Sequence, residues 1–237
     1  MVSRTYVRVC AWGGPLFLVA LIIFWGVMGY NIPPYGSDLP AEAIAAHFRD
    51  HAVVVRIGMI LTVAFAVLYL VWGIAIAAVM EAIAPGERIL PQLQIWGAGF
   101  TTLVISIPAC IWLTAAFRPT ELPPAVTAML YDLGWILFDV QNSMTMIQII
   151  PMALCFLRDR RTEVVVPKWM SWYMLWVGCM LPILSLVALF KAGPFARNGL
   201  VNYWFEFPIF FLFMIVASVA VIQAISRLGR EAAGQVA

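Results

Sequence analysis

Six apolar runs alternate with short polar gaps along the chain, at residues 13–30, 53–80, 93–117, 133–157, 169–190 and 207–225. Each approaches or exceeds the roughly 20 residues that a helix needs to cross a hydrocarbon core. Between the first two lies the turn sequence NIPPYG and an alanine-rich stretch, residues 39–51, which reads as a short interfacial helix with Pro40 in its first turn. The pattern predicts an all-α chain, a single transmembrane bundle spanning residues 1–237. Arg4 and Arg8 precede the first run as in a signal peptide, but the run is of spanning length and ends in NIPPYG, so it reads as a retained span.

Six spans put both termini on one side. That side carries Arg4, Arg8, Arg88, Arg158, Arg160, Arg161, Lys168, Arg227 and Arg230, against Arg49, Arg56, Arg118, Lys191 and Arg197 on the other. The excess of basic residues predicts cytoplasmic termini and a multi-pass protein of the inner, or plasma, membrane.

The fourth run departs from the others. Within YDLGWILFDVQNSMTMIQIIPMALCFL it carries Asp139, Gln141, Asn142, Ser143, Thr145 and Gln148. At about 100° per residue, Asp132, Asn142 and Ser143 fall within about 60° of Asp139, while Gln141, Thr145 and Gln148 fall on the opposite side. A helix polar on two sides is expected at the centre of the bundle with little lipid contact. Ionisable groups in hydrocarbon are costly and mark sites by default, so Asp139 is the candidate acid or base. With the run starting at residue 133, it lies about two turns in. Asp132, Asn142, Ser143, Gln148, Arg118 and Glu206 are the candidate ligand-binding residues around it.

Two four-residue stripes recur elsewhere. Gly58, Thr62 and Ala66 in the second run form a small-residue stripe suited to close helix packing. Thr102, Ser106, Cys110 and Thr114 in the third either line the Asp139 cavity or face a neighbouring helix. The connection FKAGPFARNGLVNYWFEF combines the turn signals Gly193-Pro194 and Asn198-Gly199 with aromatic residues, which suits a loop dipping onto the bundle or an interfacial belt.

Hydrophobic residues make up 64% and charged residues 11% of the chain, so nucleic acid is not an expected partner. Cys10, Cys110, Cys155 and Cys179 form no CxxC pair and read as small hydrophobic residues. His47 and His51 are spaced to share a helix face, but no HExxH motif accompanies them and no metal site is expected. No cofactor is expected either. There is no central lysine for a retinal Schiff base, too few histidines for a di-iron membrane oxygenase, and no Walker or dinucleotide fingerprint.

The segments AEAIAAHFRDHAVVVRIGMIL and PKWMSWYMLWVGCMLPILSLVALFKAGPFARNG resemble the two halves of a family of small, uncharacterised six-span bacterial membrane proteins. Where that family pattern has Trp, this chain has Arg197. The resemblance implies topology and no mechanism.

Three functions fit these residues. The first is an intramembrane pocket that binds or transforms a lipophilic small molecule, with Asp139 exchanging a proton and Asn142, Ser143 and Gln148 orienting the ligand. The second is a proton- or ion-coupled transporter, with a homo-oligomer supplying the repeat that one chain lacks. The third is a non-enzymatic subunit or assembly factor that docks a membrane partner. Membrane lipid is a partner in all three.

Overall fold

The computed structural model describes residues 4–234. It is helical, with no strand among the described residues, and contains six helices long and apolar enough to cross a membrane. Span one is Thr5–Met28, span two Ala52–Ile83, span three Ile89–Phe117, span four Pro124–Leu157, span five Lys168–Ala188 and span six Leu200–Glu231. The surface helix is Ala41–Asp50.

The spans form a ring in chain order, closed by span six packing on span one. Span two also reaches across to spans four and six. Its stripe faces span one: a Cβ added at Gly58 would lie 2.7 Å from the Phe24 carbonyl oxygen. Glycine permits that approach, and the Thr62 hydroxyl donates back to the Gly58 carbonyl rather than to a ligand. The small-residue stripe therefore serves packing.

The stripe on span three points the other way. Thr102 and Ser106 are only half-buried, Cys110 and Thr114 exposed, and the three hydroxyls each donate to the carbonyl four residues back. Hydroxyls satisfied by their own helix can sit on an outer face. Ser106, Cys110 and Thr114 of this stripe line a shallow outer groove, and the neighbouring Thr101 faces inward in place of Thr102.

Span four departs in part from its expected place. It is no more central than span two, each being about half buried along its most apolar stretch, and Leu133, Ile136, Val140, Ile147 and Leu154 are exposed on its outer face. The helix begins at Pro124, so Asp139 lies midway along the span rather than near its entrance. Its polar residues do not form two faces. Asp139, Asn142, Thr145 and Gln148 are all buried, and steps of three residues lag the helical period by about 60° each, so one seam winds around the helix. The helix is interrupted at Gln141, between Pro124–Val140 and Asn142–Leu157.

Other spans lose regularity in the same half of the bundle. Span one ends as a π-helix over Leu21–Met28, span five tightens to a 3-10 helix over Leu181–Ala188 with Pro182 in its first turn, and span six starts as a π-helix over Leu200–Phe205. At the opposite end, basic side chains cap helix ends. The Lys168 ammonium donates to the carbonyls of Phe156, Leu157 and Asp159, and Arg161 donates to that of Ala82. The carbonyls of Phe156, Leu157 and Ala82 are orphans at the ends of spans four and two, and that of Asp159 belongs to the loop that follows span four.

Candidate functional site

The irregular end is closed by a cap. Arg197, in the loop between spans five and six, is 2% exposed and reaches three groups from two other parts of the chain. Its Nε donates to the Tyr35 carbonyl at 2.7 Å, one terminal nitrogen donates to Asp132 at 2.7 Å, and the guanidinium lies 4.5 Å from the centre of the Tyr131 ring. The Tyr35 amide donates to the Tyr131 hydroxyl, and the Tyr203 hydroxyl donates to the Asn31 carbonyl. The 5–6 connection thus divides by residue: Ala196, Arg197 and Tyr203 tuck inward, while Phe190, Trp204 and Phe205 face outward.

The surface helix completes the cap with a ring cluster. His47 packs on Tyr35 with ring centres 4.3 Å apart, and His51 stacks on Tyr30 at 4.3 Å. Burial, with His51 beside it, pushes the His47 imidazole down to about 4. Among the described residues no group of three His, Cys, Asp or Glu side chains is arranged to hold a metal ion.

Beneath the cap lies an aromatic layer. Trp25 is nearly parallel to Phe138 (5.2 Å between centres, 13° between planes) and to Phe207 (5.5 Å, 8°), and Trp135 meets it edge-on. Asp139 is fully buried beside this layer. Its Oδ2 accepts a 3.3 Å hydrogen bond from the Asn202 amide, and its Oδ1 has no protein partner. The break at Gln141 is bridged by Asn142, whose amide donates to the Asp139 carbonyl at 3.0 Å and to the Ser185 hydroxyl at 2.7 Å. Spans four, five and six are joined at one depth by these contacts.

A cavity of about 60 Å³ opens at that depth between spans one, three, four, five and six. A water needs about 10–15 Å³ on this kind of measure, so the space fits several waters or a small headgroup. Its wall is mainly apolar and aromatic, and Thr101, Asn142, Thr145 and Glu206 are the polar residues in it. The Thr101 and Thr145 hydroxyls meet at 3.0 Å. The Glu206 side chain is buried and makes no hydrogen bond or ion pair among the described residues.

Of the residues expected from sequence, Asn142 and Glu206 line the cavity, and Asp139 stands behind it, linked through Asn142 and Asn202. Gln148 is buried past Thr145, outside the lining, beside the Tyr69 hydroxyl. Three residues lie elsewhere. Asp132 belongs to the cap, Ser143 is exposed on the outer face, and Arg118 is exposed and paired with Glu121 at the end of span three.

Sequence reasoning left out Thr101 and Ser185, and it placed Asn202 among the polar groups able to reach the Asp139 half without making it a candidate ligand-binding residue. Asn202 carried a signal, since it precedes Glu206 by one helical turn in NYWFEF. It also left out Gln94, buried with no side-chain hydrogen bond, and Tyr69, buried with its hydroxyl toward Gln148. No family model, no curated protein and no solved structure matches the chain.

Proposed function

We propose that this chain is a multi-pass protein of the plasma membrane, with cytoplasmic termini, whose mid-depth cavity binds a lipophilic small molecule. The observation that carries this reading is the composition of the cavity: a mainly apolar, aromatic wall with Asn142, two threonine hydroxyls and one carboxylate convergent on it. Ligand sites have this character, a hydrophobic lining with few placed polar groups. Asn142 and Glu206 are the groups that contact and orient the ligand. Asp139 is the candidate proton donor or acceptor, because its Oδ1 is unpartnered while Asn202 and Asn142 hold the rest of the residue in place.

A transport reading has its own support. Broken or non-α helices converge at the site from spans one, four, five and six, the arrangement found where transporters bind substrates near the bilayer midplane. The two readings share one ligand site and differ in the fate of the bound molecule.

Native mass spectrometry of the protein released gently from its host membrane tests the shared reading. A hydrophobic molecule bound at one per chain, and lost in Asn142→Leu, is the expected result. A native chain that carries no such molecule, with or without added lipid extract, would count against it. Proton-driven uptake into vesicles, abolished in Asp139→Asn, would select transport.

A further inference from the structure

Among the described residues, Glu206 is the sole charged side chain in the cavity wall. It is 3% exposed, and its side chain has no hydrogen bond or ion pair among the described residues. One helical turn before it, Asn202 holds Asp139, whose Oδ1 also lacks a partner. Two carboxyl groups therefore stand close to one buried space. Arg197, the buried cation of this end of the bundle, is occupied by Asp132, the Tyr35 carbonyl and the Tyr131 ring.

We propose that the ligand is a cationic amphiphile, a single apolar chain bearing a small ammonium headgroup that sits against Glu206. This rests on the ligand-binding reading above and narrows it to a chemical class. A carboxylate that stays ionised in an apolar site needs a countercharge, and none comes from the protein wall. The wall also presents the rings of Phe138, Phe207 and Phe210, and aromatic faces attract ammonium groups, most strongly when desolvated. An anionic headgroup would meet like charge, and a neutral one would supply at most a hydrogen bond and no countercharge. The cavity has the size of a headgroup rather than of a whole lipid. Leu184 and the half-buried Phe211 continue its apolar wall, where the chain of the amphiphile would lie.

The test is equilibrium binding of radiolabelled decyltrimethylammonium to the protein in dodecyl maltoside, against protein-free micelles. Saturable binding of one molecule per chain is expected, weakened at least about tenfold in Glu206→Gln and not displaced by the uncharged N,N-dimethyldecanamide. If the neutral amide competes equally and Glu206→Gln binds as well as the native chain, the cationic class is overturned while the lipophilic pocket stands. If neither compound binds saturably, both readings fall. Should Glu206→Gln not survive gel filtration, Phe138→Leu replaces it. That variant keeps the carboxylate and removes one ring, and it should weaken the ammonium compound about threefold or more; unchanged binding would count against the cationic class.

Discussion

Asp132 and Asp139 stand about two turns apart on the same helix, and the regions around them are built differently. Asp132 belongs to the cap, where Arg197 answers its charge and further hydrogen bonds join the loops to span four. Asp139 belongs to the cavity region, where one carboxylate oxygen is held by Asn202 and the other is free. On the cap side, Arg197 and the Tyr35 amide both donate to protein partners. On the cavity side Asp139 and Glu206 both keep unused acceptors. Groups that are satisfied hold a fold together, whereas buried groups left unsatisfied lower stability and are retained where they meet something else.

The largest effect should come from the cap. Arg197→Ala removes two 2.7 Å hydrogen bonds and the contact with the Tyr131 ring, and it leaves the Tyr35 carbonyl without its donor. A loss of about 3 kcal/mol is expected, at the lower end for a buried pair because Asp132 is half-exposed. Thermal unfolding in detergent should show Tm lower by about 6–12 °C. A shift under about 2 °C would mean that the cap does not hold this end closed.

Acid should act on the same region. His47 titrates at about 4 in the fold against 6.5 when free, so the unfolded chain binds more protons between those values and stability rises with pH there. The contribution is complete above pH 6.5 and lost as pH falls through 4, on the order of 2–3 kcal/mol in all. Unfolding measured from pH 7 to 4 should show this slope, and His47→Phe should flatten it. Hydrogen exchange should rise across the surface helix and its preceding loop before it rises around the cavity. Equal slopes in the two proteins would remove His47 from the account.

Legibility in the sequence divides along the same line. Six apolar runs suffice for six long helices, because lipid leaves the backbone no alternative. Asp139, Asn142 and Glu206 were visible as polar residues in or at the ends of apolar runs. The seam of span four was misread as two faces because a wheel treats a drift of three-residue steps as separate sides. The Thr102 stripe misled for a different reason: hydroxyls bonded to their own helix carry little information about direction. Arg197 was not legible as the partner of Asp132, since a loop obeys no period and its contacts with Tyr35 and Tyr131 are long-range.

On the cavity side the expected changes in stability are smaller. Thr101→Val removes the 3.0 Å contact with Thr145 and nothing charged, so about 1 kcal/mol should be lost. Thr145 lines the cavity, and its freed hydroxyl would be available to a ligand, so binding should change little. A loss above about 3 kcal/mol would show that the Thr101–Thr145 contact holds spans three and four together.

One substitution made at both aspartates separates the two regions most sharply. Asp132→Asn takes the countercharge from a cation that remains buried, and should cost about 2 kcal/mol. Asp139→Asn takes a charge from a site where no ion pair is broken, and its remaining side-chain oxygen can still accept from Asn202. Its effect on stability should lie within about 1 kcal/mol, in the stabilising direction where the new amide reaches an acceptor. Proton-coupled activity or ligand binding should behave in the opposite way, impaired by Asp139→Asn and nearly untouched by Asp132→Asn in chains that remain folded. If Asp139→Asn instead unfolds the protein while Asp132→Asn does not, Asp139 is a structural group and the centre of function must be sought at Glu206 alone.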